Sequence, residues 1–531
     1  MYQECLEAIA RLHDAGAVRA LRDSRIGLEK ESLRVDLEGH IARTPHPRAL
    51  GSALTHPYIT TDFSEALLEF VTPPFSDADE TLSFLCHVHQ FVYQNLDPEI
   101  LWCASMPCMV SDDATVPIAD YGHSNVGRMK RVYREGLSHR YGRVMQTIAG
   151  VHFNYSLPAP VWRALNPGAK GRALQAHIND AYFACVRNFQ RFGWLVPYLF
   201  GSSPAVCKSF LGADAADGFE QFDDGTLYLP YATSLRMSDV GYKNSNQSGL
   251  AIDYAGVDSY VQSLTRAIET PYPEYEAIGV EVDGEYRQLN ANLLQIENEF
   301  YSFIRPKQIT RSGEKPTIAL RRRGVRYVEV RALDVNPFEP LGVSEASMYF
   351  IEALVVFCML AASAPVSAEE RTRIEHNQLE VAMRGRDPAL EIDTGAGTRP
   401  LAAQAGELLD AIAPVCAVLD EAHGSTRYHF ALAQQRAAVA DPRLLPSARV
   451  LEAMGRDGVP FFRFAMNMSL AHRDWFLNKK MSSAQRRMFD EEAARSLAQQ
   501  RAIEAADSIS FEEYLRRYFA QSLDRRESVL R

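Results

Sequence analysis

The sequence lacks a Walker A loop, a Gly-x-Gly-x-x-Gly turn, a His-Glu-x-x-His pair and a Gly-x-Ser-x-Gly elbow. Their absence excludes P-loop and Rossmann-type phosphate binding, zincin proteolysis and the α/β-hydrolase nucleophile, so any phosphate must be met by metals and arginines. It also lacks a basic excess. With 56 Lys+Arg against 67 Asp+Glu the net charge is -11, which argues against a nucleic-acid partner. Cysteine is sparse: eight occur, none in a Cys-x-x-Cys or zinc-like spacing, and they read as buried thiols in a reducing compartment rather than a disulfide framework. The apolar run from Ala353 to Ala362 is too short to span a bilayer, and the N-terminus, with Glu4 and Glu7, has no signal-peptide core. The expectation is a cytoplasmic protein with no membrane association. No internal repeat or low-complexity linker interrupts it, and a hydrophobic content of 47% with 23% charged residues supports an ample core.

What is present is acid on apolar strands. In Gly27-Leu28-Glu29-Lys30-Glu31-Ser32-Leu33-Arg34-Val35, Glu29 and Glu31 stand two apart, and a strand turns residues i and i+2 to the same face. The oddity recurs with Asp62 and Glu69 between Thr61 and Val71, with His152 in Gly150–Ser156, and with Glu329 in Tyr327-Val328-Glu329-Val330-Arg331. Two carboxylates about 5 Å apart repel by about 3 kcal/mol at an effective dielectric near 20. Five acids and a histidine form a hard donor set, suited to Mg²⁺ or Mn²⁺ more than to Zn²⁺. The bland alternative for each acid is a solvated face or an ion pair with Lys30 or Arg34.

The rest of the chain predicts an α+β fold. The first two-thirds mix short strands and helices around a mainly antiparallel sheet with one wet face, and residues 346–531 form a mostly helical part on a 1–345 core. Helices are expected over Leu82–Leu96, Leu174–Phe192, Asp258–Ile268, Leu401–His423 capped by Gly424, and Ser483–Ala506, with another opening at Ser344-Glu345 and closed by Pro365. Thr147–Tyr155 alternates as a strand, Thr394–Pro400 reads as a loop, and Arg321-Arg322-Arg323 as an exposed turn. Arg331 shares its strand face with Tyr327 and Glu329, a geometry that can steady a transferring phosphoryl group. Arg134, Arg305 and Lys307 offer further cations for polyphosphate oxygens.

Long runs then carry a specific resemblance: Arg48–His56 with Thr60-Thr61-Asp62-Phe63, Tyr133-Arg134-Glu135-Gly136-Leu137, Met145–His152, Leu229–Asp239 and Val335-Asn336-Pro337-Phe338. The chain resembles proteobacterial-type glutamate–cysteine ligases. The resemblance implies a funnel-shaped curved sheet similar to that of glutamine synthetase, and ATP-dependent joining of L-glutamate to L-cysteine through γ-glutamyl phosphate. It implies one metal on Glu31, Asp62 and Glu69, a second on Glu29, His152 and Glu329, and a third shared by Glu29 and Glu329. Arg331, with Glu329, would act on the γ-phosphate, and Arg236 would receive the glutamate α-carboxylate. Tyr133, Leu137, Gln146, Tyr242 and Tyr301 fall where a cysteine cup is expected. The same likeness implies feedback inhibition by glutathione, and a monomer is the expected state. The roles of Glu297 and Glu299 stay unassigned.

Three other readings compete with this one: a γ-glutamyl ligase for another amine or ammonia, a guanidino phosphotransferase on a similar scaffold, and a non-catalytic ATP-binding relative. The metal arm at Asp62 and Glu69 counts against the second. The intact set of ligand types counts against the third.

Overall fold

Strand β1 (Arg25–Val35) is the longest in the protein, and its two-residue alternation decides what each face of the central sheet does. The computed structural model describes residues 2–110, 112–211, 218–241 and 250–521. Six further strands join β1: β2 (Ile59–Thr61), β3 (Leu67–Val71), β4 (Ile100–Leu101), β5 (Gly150–Ser156), β6 (Ile304–Lys307) and β7 (Tyr327–Asp334). Their spatial order is β6-β7-β5-β1-β3-β2, with β4 paired to the end of β1, and every pairing is antiparallel. The sheet is open, and its register brings the acids into line. Glu29 lies opposite His152, Glu31 opposite Glu69, and Glu329 opposite Asn154 on one side and Arg305 on the other.

Lys30, Ser32 and Arg34 point to the opposite face and settle the question of in-strand pairing. Lys30 Nζ donates to Ser32 Oγ at 2.8 Å and to His89 Nε2 at 3.0 Å, and Arg34 pairs with Glu99 at 2.6 Å. Neither cation neutralises Glu29 or Glu31. That face is covered by helices, among them α1 (Ala78–Tyr93) and α6 (Phe461–Asn478). Helix α4 (Glu345–Leu360) starts where Ser344 Oγ accepts the Ser347 amide, and it is apolar all round because it is wrapped by α3 (Gly171–Phe192), α5 (Leu401–His423) and the helix Arg427–Ala440. Helix α5 ends where Gly424 takes φ 62°, a left-handed conformation that glycine adopts without strain. By length and composition α5 would suffice to cross a bilayer, although Ala353–Ala362 was the segment the sequence singled out; here α5 lies in the helical layer. Helix α7 (Ser483–Ala506) returns to the N-terminal part, where the Ser52 amide donates to Ser496 Oγ at 2.9 Å and Ser52 Oγ to Gln500 at 2.5 Å. One hydrophobic core runs from Cys5 to Phe489 through both parts.

Several local expectations fail for identifiable reasons. Thr147 belongs to a short 3₁₀ turn, and β5 starts only at Gly150. The arginine triplet closes the helix Pro316–Arg323, where cations suit the negative end of the helix dipole. Thr398–Pro400 pairs with Glu391–Asp393 as a small hairpin instead of a loop. Cys108 and Cys207 form a disulfide, so the reading of all eight cysteines as free thiols fails at that pair; their sequence separation of 99 residues left no local signature.

Candidate active site

The wet face of the sheet forms one wall of a cavity of about 320 Å³. All six acidic or imidazole residues expected as ligands line it: Glu29 and Glu31 from β1, Asp62 just beyond β2, Glu69 from β3, His152 from β5 and Glu329 from β7. His152 is central. Its Nδ1 lies 3.3 Å from Glu29 and 3.7 Å from Glu329, while its Nε2 is 3.7 Å from Glu31. Donor atoms of Glu29, His152 and Glu329 lie within 4.8 Å of one another, close enough to share one divalent ion. Among the described residues no other group is gathered so closely, so Glu31, Asp62 and Glu69 share the cavity without a comparable convergence. Buried acceptors without a partner fit a cation too: Asn154 Oδ1 has no hydrogen bond, while its Nδ2 donates to Glu29 at 3.0 Å.

The electrostatics divide this wall in two. At Glu329, burial raises the carboxyl pKa, but Lys307, Arg331, His152 and Arg305 outweigh it and hold the group well below the usual carboxylate range. Lys307 Nζ is 3.2 Å and Arg331 Nη1 is 3.1 Å from its oxygens. Glu69 is the reverse: desolvation and the charges of Glu29, Asp62 and Glu31 push its pKa well up. Glu31 is also raised, chiefly by burial, although His152 opposes this and Gly150 donates its amide to Glu31 at 2.6 Å. The Glu29–Glu31–Glu69 side therefore carries surplus negative charge, and the Glu329 side surplus positive charge. A divalent cation relieves the first and an anionic phosphate the second.

Facing the sheet is helix α2 (Asn125–Tyr141), capped by the Ser124 hydroxyl, which brings Tyr133, Arg134 and Leu137 to the same cavity. Gln146 and Tyr301 complete that lining, so four of the five cup residues meet there; Tyr242 lies outside the described residues. Arg134 lines the cavity with its guanidinium already engaged: Nε donates to the Asp62 carbonyl at 2.6 Å, Nη1 to Lys130 O at 2.9 Å, and the group lies 4.7 Å from the Tyr121 ring. Glu299 also lines the cavity, buried, where it accepts from Arg140 at 2.9 Å, Tyr141 at 2.6 Å and the Gln295 amide at 2.6 Å. Glu297 accepts from the Thr317 hydroxyl at 2.5 Å. Both acids stand on a 3₁₀ turn and not a strand, so their two-residue spacing has no face-sharing meaning here.

Arg236 does not line the main cavity, where Tyr301 does, and it is almost fully buried. Together with Tyr301 it lines a second cavity of about 480 Å³. Two further cations line the main cavity: Arg305, opposite Glu329, which the sequence offered, and Lys130, which it did not single out. Lys130 precedes Arg134 by four on α2, so helical spacing was the signal available; burial pulls its ammonium pKa down to about 8, and Arg134 adds to that.

A family model described as Glutamate-cysteine ligase matches residues 9–381. The chain belongs to the glutamate–cysteine ligase family. A glutamate–cysteine ligase from Alcanivorax borkumensis is 50% identical over 520 residues, spanning 97% of this chain and 99% of that protein. One from Azotobacter vinelandii is 48% identical, with 96% and 97% covered. A crystal structure of glutamate–cysteine ligase from Francisella tularensis in complex with AMP superposes with a TM-score of 0.88 at 37% identity, over 93% of this chain and 97% of that one. The match runs through the helical C-terminal part as well as the sheet. The chain is thus a ligase on an open antiparallel sheet with a helical covering.

Proposed function

We propose that this enzyme joins the γ-carboxyl of L-glutamate to the amine of L-cysteine at the expense of ATP, through γ-glutamyl phosphate. The observation that carries the reading is the single cavity in which six metal-type ligands, Arg331, Lys307 and an aromatic cup converge. Glu29, His152 and Glu329 would hold one Mg²⁺ or Mn²⁺ ion, Glu31, Asp62 and Glu69 a second, and Glu29 with Glu329 a third. Bound there, such ions would supply charge neutralisation and polarisation at phosphate oxygens. Arg331 lies beside Glu329 and presents a planar fork to the moving phosphoryl group, where Lys307 and Arg134 add positive charge. Arg236 receives the glutamate α-carboxylate. With the γ-carboxylate oxygen aimed at the γ-phosphorus, the phosphoryl group passes to glutamate and ADP leaves. The cysteine amine then attacks the acyl carbon and releases phosphate. Tyr133, Leu137, Gln146 and Tyr301, together with Tyr242, shape the cup that takes cysteine by size. The protein works in the cytoplasm as a monomer, and glutathione, which shares the γ-glutamylcysteine moiety, competes for the same cavity.

The test is ADP release that requires glutamate and a divalent ion, with ¹⁸O from the γ-carboxyl recovered in phosphate. 2-Aminobutyrate should replace cysteine with moderate loss, because the cup reads shape. Ammonia should do poorly, since it leaves the cup empty. Label retained wholly in the peptide, or ammonia outcompeting cysteine at equal concentration, would refute the mechanism.

A further inference from the structure

Asp334, at the end of β7, makes no contact with the main cavity, yet it is fully buried and heavily bonded. Its Oδ2 accepts from the Ser202 amide at 2.9 Å and the Ser203 hydroxyl at 2.6 Å, and its Oδ1 from the Ser234 hydroxyl at 2.8 Å. Three donors and no proton of its own to give describe an ionised carboxylate. The same two hydroxyls accept in turn from backbone amides of the Arg236 turn: Arg236 N–H reaches Ser203 Oγ at 3.3 Å, and Met237 N–H reaches Ser234 Oγ at 3.3 Å. Oδ1 of Asp334 also lies 3.9 Å from Arg236 Nη1.

The guanidinium is held closely on its other sides. Nη2 donates to the Arg331 carbonyl at 2.9 Å. Arg331 lies within the shift of the β7–β5 register between Val330 and Leu333. Gly150 lies flat against the same guanidinium: a Cβ there would come 2.1 Å from Nη2, so a side chain cannot stand at that position without moving the arginine. Arg236 is thereby tied to the backbone of Arg331 by one hydrogen bond.

We propose that Asp334 is the positioning residue for Arg236, fixing its backbone through Ser203 and Ser234 and its guanidinium by charge, so that glutamate meets a preset carboxylate receptor. This rests on the reading of Arg236 as that receptor. A residue acting through Arg236 should change glutamate recognition and leave nucleotide handling alone.

The experiment is a double-mutant cycle in the full-length enzyme with Arg236→Gln and Asp334→Asn, measuring KM for glutamate and ATP and kcat separately. Asp334→Asn is expected to raise KM for glutamate roughly tenfold or more, on the scale of one hydrogen bond to a charged group. KM for ATP should change less than about twofold. In the Arg236→Gln background the same substitution should add almost nothing, since its route is already cut. Additive effects, or equal changes in both KM values, overturn the positioning role. An unchanged glutamate KM in Arg236→Gln alone overturns the reading of Arg236, and the proposal with it, a result distinguishable from additivity. Ser203→Ala, which keeps the charge and removes one anchor, should shift glutamate KM in the same direction and decides the case if Asp334→Asn does not fold.

Discussion

Glu69 and Glu329 are both acids on the same wall, but the structure makes opposite predictions for them in the metal-free protein. Glu69 lies across from Glu31 in the β1–β3 ladder, with Glu29 and Asp62 among the charges acting on it. At about 5 Å and an effective dielectric near 20, one such repulsion is worth about 3 kcal/mol. Glu69→Gln removes it and keeps the shape. Glu329 instead sits 3.2 Å from Lys307 and 3.1 Å from Arg331. Each contact has a gross attraction of about 5 kcal/mol on the same scale, and removing one partner of a buried pair typically costs about 3–5 kcal/mol net. A chain of 531 residues shifts by roughly 1 °C per kcal/mol, given an unfolding entropy of ~2.1 cal/mol/K per residue. In EDTA, scanning fluorimetry should therefore show Glu69→Gln melting about 2–3 °C above wild type and Glu329→Gln about 3–5 °C below it. Each should show a smaller metal-induced rise in melting temperature than wild type and lose the ligase activity. If Glu69→Gln melts lower in EDTA, or Glu329→Gln melts higher, the division of the wall into negative and positive halves is wrong.

Lys30, buried with its pKa pulled down to about 7 by desolvation, gives a pH prediction. Below pH 7 both folded and unfolded states carry the charge and the full penalty applies, at most about 5 kcal/mol for the shift from 10.5; it fades as pH rises from 7 to 10.5. Lys30→Met should accordingly raise the melting temperature at pH 6.5 more than at pH 9.5, and an equal gain at both would refute the buried ammonium. Arg331→Lys keeps the charge and loses the fork, so kcat and kcat/KM should fall together by roughly 100-fold or more with KM for ATP little changed; a rise confined to KM for ATP would make Arg331 a binding group only. Thiol titration of the denatured chain should find six reactive groups without reductant and eight with it, and eight in both would refute the Cys108–Cys207 bond.

The acids were legible in the sequence because a strand's period of two is a local rule. Glu-x-Glu on an apolar run places both carboxylates on one face whatever the strand pairs with. The same holds for α5, whose apolar spacing and terminal Gly424 fix its extent without neighbours. The aromatic and arginine motifs were readable as a family likeness, which carried the assignment of roles. Partnership was not readable. Whether Glu29 is neutralised by Lys30 or left for a cation depends on which face each side chain takes and on what His89 offers from a helix 59 residues away. The pairing of Cys108 with Cys207, the seat of Glu299 on Arg140, and the anchoring of Arg236 by Asp334 across 98 residues are likewise non-local. Local sequence thus determined the inventory and spacing of the chemistry. Strand register and chain crossing decided which charges would be neighbours, because Coulomb energy depends on separation in space and not along the chain.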